Sequence, residues 1–131
     1  MKIELHEITV WDLAEGYKDC KVEGVFGYGG RLNIRPPYQR EFIYKDKQRD
    51  AVIATVRNNF PLNVMYWAVG EDGKFELIDG QQRTISLCQY VVGNFSYEFL
   101  KFNNLQPDQQ EQILNYKLMI YFSEGKDSEK L

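Results

Sequence analysis

Apolar positions recur along this chain with two different periods, and the places where one period gives way to the other mark its elements. Val52, Val56 and Phe60 return every four residues with Ile53 beside them, which predicts a helix capped by Asp46, running to about residue 59 and halted by Pro61. Residues 64–69 and 74–78 are instead short runs of β-formers joined across Glu71-Asp72-Gly73, a strong turn signal, and predict two strands. The pattern switches back at Asp79-Gly80. Ile85, Cys88 and Val92 then form one stripe, flanked by Leu87 and Val91, so a well-buried helix is expected over 81–92 with Gly93 as its terminator.

The flanks are read the same way. Thr9 begins a helix with Asp12 as the second member of a capping-box-like pair and Trp11, Leu13 and Ala14 as early apolar positions, ending near 16–19. Residues 22–34 hold Gly24, Gly27, Gly29 and Gly30 among β-formers, which suits a hairpin with Tyr28-Gly29-Gly30 at its tip. A glycine-rich phosphate loop would need a strand-then-helix context that this stretch lacks. Residues 95–102 read as a strand, Pro107 and Asp108 open a short helix, 116–122 read as a strand, and the polar end 123–131 as a frayed tail. With no repeat or linker, the whole chain, 1–131, is expected to form a single α+β domain: a small mixed sheet with packed helices.

At 131 residues and 44% hydrophobic content, such a domain can bury a core without a disulfide or metal staple. Two cysteines, Cys20 and Cys88, set no disulfide framework and are expected to be reduced and structural, which points to the cytoplasm. No run approaches the ~20 apolar residues that cross a bilayer. The net charge of −3 argues against general affinity for nucleic acid, yet Arg31, Arg35, Arg40, Lys45, Lys47 and Arg49 make one third of the chain cationic. That cluster is either a solvated face or an anion site.

Candidate chemistry concentrates at Asp79-Gly80-Gln81-Gln82-Arg83. Unpaired amides at a helix N-terminus attract anions, Gly80 lets a ligand reach the main chain, and Arg83 falls in the first turn, where a guanidinium can close over a phosphate. Asp79 is equally suited to capping the helix. His6 is the only histidine and no Cys/His grouping has zinc spacing, so an HNH-type nuclease or zinc site is not expected here, and no metal ligand is assigned.

A second element lies about forty residues upstream: Arg35-Pro36-Pro37-Tyr38-Gln39-Arg40. The order of this element, a helix, a strand, an Asp-Gly turn, a strand, Ile78-Asp79-Gly80-Gln81-Gln82-Arg83 and a helix resembles the N-terminal domain family of GmrSD-type restriction systems, known by its DGQQR motif. That family is similar in turn to the ParB/sulfiredoxin superfamily, whose first element aligns with Pro37–Arg40 and whose phosphate-receiving box aligns with Gly80–Arg83. The resemblance is strongest over about 33–95. It implies a ParB/sulfiredoxin-like fold and a nucleotide-binding, NTP-hydrolysing regulatory domain of a DNA restriction or phage-defence system.

The same resemblance implies particular roles. Gly80, Arg83 and Arg40 would hold a nucleoside triphosphate, with magnesium as its companion ion, and Tyr38 and Gln39 would belong to the same site. Asp79, Gln81 and Gln82 would be the catalytic candidates, a glutamine orienting the attacking water. Each has a plainer alternative: Arg40 bracing Asp79, Asp79 capping, Tyr38 packed in the core. Sulfiredoxin chemistry needs a cysteine in the box, where this chain has Gln81. Implied partners are nucleotide, DNA, and a nuclease domain or subunit, since family members commonly continue beyond this domain; no membrane partner is implied. Two other readings stay open, a ParB-like DNA-binding or nuclease module using the cationic region, and a non-catalytic interaction domain.

Overall fold

The computed structural model describes residues 2–35 and 45–124. Among them run seven strands, β1 (Lys2–Thr9), β2 (Lys18–Asp19), β3 (Val25–Gly27), β4 (Leu32–Arg35), β5 (Met65–Val69), β6 (Phe75–Asp79) and β7 (Lys117–Glu124). Four α-helices separate them: α1 (Val10–Ala14), α2 (Asp46–Arg57), α3 (Gln81–Val91) and α4 (Pro107–Leu114). The strands form one mixed sheet in the order β1-β7-β5-β6-β4-β3-β2, with β5/β7 and β4/β6 parallel and the other pairs antiparallel. The α+β mixed sheet with packed helices expected from the sequence is therefore present.

The sheet is apolar towards the helices. Met65, Trp67, Leu77, Leu118 and Ile120 are buried there, beneath Leu13 of α1, Ile53 and Val56 of α2, Leu87 and Cys88 of α3 and Ile113 of α4. The registers Leu5↔Tyr121 and Tyr121↔Tyr66 set a row on the opposite face, where Leu5 and Tyr66 are exposed. Alternation thus covers one face and leaves the other towards solvent. β1 closes one edge of the sheet, pairing with β7 along all eight residues, Lys2↔Glu124 to Thr9↔Lys117.

Several boundaries follow their local signals. The hairpin tip falls at Tyr28 to Arg31, the Asp72-Gly73 turn has positive φ at both residues, and Gly93, φ +88°, follows α3 as a left-handed terminator. Others differ. Thr9 does cap α1, its Oγ1 accepting from the Asp12 amide at 3.2 Å, but the helix stops after five residues, at Ala14. Lys45, not Asp46, is the N-cap of α2, and Phe60 lies beyond the helix end and is exposed. The strand expected over 95–102 is absent: a tight turn at 97–100 and a 3-10 turn, Phe102–Asn104, occupy it.

Cys20 and Cys88 are unpaired thiols. Cys88 is fully buried, and that burial pushes its thiol well above the usual range. Beside it Tyr17 is pushed up to about 12, first by burial, against a weaker opposing hydrogen bond from the Gln89 amide. The unfolded chain ionises this phenol at about 10, so folding stability should fall as pH rises from about 10 to about 12 and be unaffected by Tyr17 below that window. Urea midpoints measured across that range should decline less steeply in Tyr17→Phe than in the wild type.

Candidate functional site

The corner at residues 79–83 is shaped by a break in strand register. Tyr66 pairs with Asp79 but the next residue, Trp67, pairs with Leu77, so Ile78 is an extra residue that bends the end of β6. The bend delivers the chain into Gly80, φ +112° and ψ 20°, which is the N-cap of α3. Gly80 is required here twice over. That φ is foreign to L residues, and an added Cβ would come within 2.5 Å of Met65 Cγ and Sδ. Met65 is held in turn by Thr84, whose hydroxyl donates to its Sδ at 3.4 Å within the core.

Glycine as the cap brings no capping side chain to the first turn of α3. Asp79 is the last residue of β6 and does not cap the helix, which closes that alternative. Its carboxylate, 63% exposed, instead lies 3.6 Å from Arg83 Nη2. The Arg83 side chain is only 19% exposed, and its Nη1 donates to the Asn63 carbonyl at 2.6 Å and to that of Val64 at 3.5 Å. The arginine therefore ties the loop ahead of β5 to the start of α3.

Asn63, Ile78, Asp79, Gly80, Gln81, Gln82 and Arg83 line an open cleft of about 570 Å³. Asp79, Gly80, Gln81, Gln82 and Arg83 are thus brought together as expected. Tyr38, Gln39 and Arg40 lie outside the described residues, so their expected places at this cleft, and Arg40 as a brace for Asp79, rest on the sequence alone. The contributions of Asn63, Val64, Met65 and Thr84 have no motif in the sequence. Only the four-residue step from Gly80 to Thr84, one helical turn, hints that the two share a floor.

The arginines described in the cationic cluster are engaged within the chain, though only Arg35 is buried. Arg35 is 3% exposed, donates to the Lys21 carbonyl at 2.6 Å and lies 3.8 Å from Asp19 Oδ1. Arg31 stacks on Tyr28 at 4.3 Å, and Arg49 on Phe95 at 3.8 Å while pairing with Asp46 and Asp50. Among the described members only Lys45 and Lys47 stand exposed without such a contact. No group of three His, Cys, Asp or Glu residues gathers among the described residues, so a magnesium ion at the cleft would draw its ligands mainly from phosphate and water. Among the described residues no helix is long and apolar enough to cross a membrane.

A mixed sheet whose bulged strand turns through glycine into a helix, with an arginine in its first turn and helices packed on one face, defines an α+β domain with an open cleft at that corner. The sequence matches the family model described as the GmrSD restriction endonuclease N-terminal domain over residues 22–131, and the chain belongs to that family. It is accordingly a component of a restriction system. The match begins after β1, α1 and β2, so both edge strands of the sheet and the first helix stand outside it. No curated protein and no solved structure matches the chain.

Proposed function

We propose that this domain binds the phosphates of a nucleoside triphosphate at the Asp79–Arg83 corner, and that this binding regulates a nuclease function carried by a further domain or subunit of the restriction system. The observation that carries the reading is the cleft lined by Gly80, Gln81, Gln82 and Arg83 at the glycine-capped N-terminus of α3, where the cap residue itself puts no side chain in the way of a ligand. Amides and a positive helix end favour an anion there, and a guanidinium matches phosphate oxygens in pairs. Gln81 and Gln82, lining the same cleft, have no basicity to abstract a proton and would act on a hydrolytic water only by orienting it. A DNA-binding reading draws less support, because three arginines of the cationic stretch already contact rings, carboxylates or a carbonyl of the chain itself.

Calorimetric titration with ATP, GTP and CTP, with and without Mg²⁺, tests the reading. Micromolar to millimolar binding of at least one triphosphate is expected, and no heat from any of them at the upper end of that range would end it. The Asp79→Asn variant separates the two roles left for that carboxylate. Its exposed pairing with Arg83 contributes little to stability, while its charge opposes an incoming phosphate. Without Mg²⁺, Asp79→Asn should bind nucleotide about threefold to tenfold more tightly. A loss of affinity confined to the Mg²⁺ titration would instead assign Asp79 to the metal.

A further inference from the structure

Phe99 is the most exposed large apolar residue among those described, at 99%. Tyr97 and Leu100 bond each other in both directions, amide to carbonyl at 2.9 and 3.1 Å, which leaves Glu98 and Phe99 as the two tip residues of a tight hairpin turn. Both have positive φ, +50° and +69°, a conformation suited to Asn or Gly and resisted by a bulky side chain. Phe99 therefore combines backbone strain with complete exposure. Among the described residues no contact of Phe99 repays either, and such strain gathers where a partner is bound.

The same surface carries a hollow for such a ring. Trp11 and Ala14 of α1, Glu15 at its C-cap, Val91 of α3, Leu114 of α4 and Phe102 line an open hollow of about 220 Å³ that is mostly carbon. Trp11 is 55% exposed at its rim. An apolar cavity of roughly 150 Å³ already admits benzene, so a benzyl side chain fits. Phe102 follows Phe99 by three residues, which places knob and hollow side by side. The charges also match, with Glu15 at the hollow and exposed Lys101 two residues beyond the knob.

We propose that this surface joins two copies of the chain, the Phe99 of each entering the Trp11, Phe102 and Leu114 hollow of the other. Knob and hollow on one surface let both insertions form about a single two-fold axis, so the contact closes as a dimer instead of extending into a fibre. One anchored aromatic at the centre supplies most of the affinity, and Lys101 against the other copy's Glu15 fixes the orientation.

Sedimentation equilibrium at about 100 µM chain, a concentration at which a micromolar dimer is populated, provides the test. The wild type should sediment as a dimer, and Phe99→Gly should weaken it about thirtyfold or more, as expected for a hot-spot residue. At a dilution where the wild type is monomeric, Phe99→Gly should melt at a higher temperature, because glycine relieves the left-handed turn; loss of the dimer in a better-folded chain excludes misfolding as the cause. Glu15→Lys and Lys101→Glu should each weaken the dimer, and the two together should restore it. A monomeric wild type, as would follow if the surface served a different protein, overturns the proposal. So does a dimer that persists in Phe99→Gly.

Discussion

Replacing Arg83 by alanine is expected to weaken nucleotide binding by about tenfold or more and to lower the unfolding free energy by about 1–3 kcal/mol. Both effects follow from one guanidinium. It faces the cleft at the start of α3, and it also donates to the carbonyls of Asn63 and Val64, holding the approach to β5 against the helix. Its exposed contact with Asp79 adds little to the second effect. Arg83→Lys separates the two: a lysine ammonium can retain one carbonyl and recover part of the stability, but it has no planar fork for paired phosphate oxygens. Calorimetry and urea denaturation on both variants provide the check. Wild-type nucleotide affinity in Arg83→Ala, accompanied by the loss of stability, would leave Arg83 as a brace alone.

Gly80→Ala is expected to destabilise the fold by about 2–5 kcal/mol, from strain at a φ that alanine rarely adopts and from overpacking. The overpacking has a single neighbour. Met65 Cγ and Sδ would both lie 2.5 Å from the new methyl, and moving them breaks the hydrogen bond from Thr84. Introducing Gly80→Ala on a Met65→Ala background should consequently cost less than in the wild type, the remainder being the backbone strain. If the two costs simply add in urea denaturation, Met65 is not the obstacle. The corner is thus specified from beneath, by a core methionine, as well as by its own motif.

The central stretch was legible because each signal there is local. Gly73 and Gly93 end elements by their own backbone freedom, and the switch of apolar period at residues 79–80 marks strand giving way to helix. The membership of residues 79–83 in one cleft was legible for the same reason, since five consecutive residues at a helix start cannot lie far apart. What could not be read depends on distant partners. β1 alternates Ile3 and Leu5 with charged residues, yet these two are exposed, and it is the pairing with β7 that makes 2–9 a strand. Arg83 looked available for ligand, but its carbonyl partners sit 19 and 20 residues upstream, at the end of a loop without a motif. The apolar content of residues 95–102 suggested a strand; Phe95 and Phe102 are buried in the core, while Phe99 points out from a turn.

The pairing of β1 with β7 also bears on the order in which the domain can complete itself. The earliest of the described strands to be synthesised has its sheet partner in the latest of them, and Thr9↔Lys117, the nearest of their eight pairs, spans almost the full described chain. Closing a loop of that length carries its entropy cost before any of those pairs can form, so β1 waits without its β7 partner while the intervening residues are made and finds its place only when β7 is available to receive it.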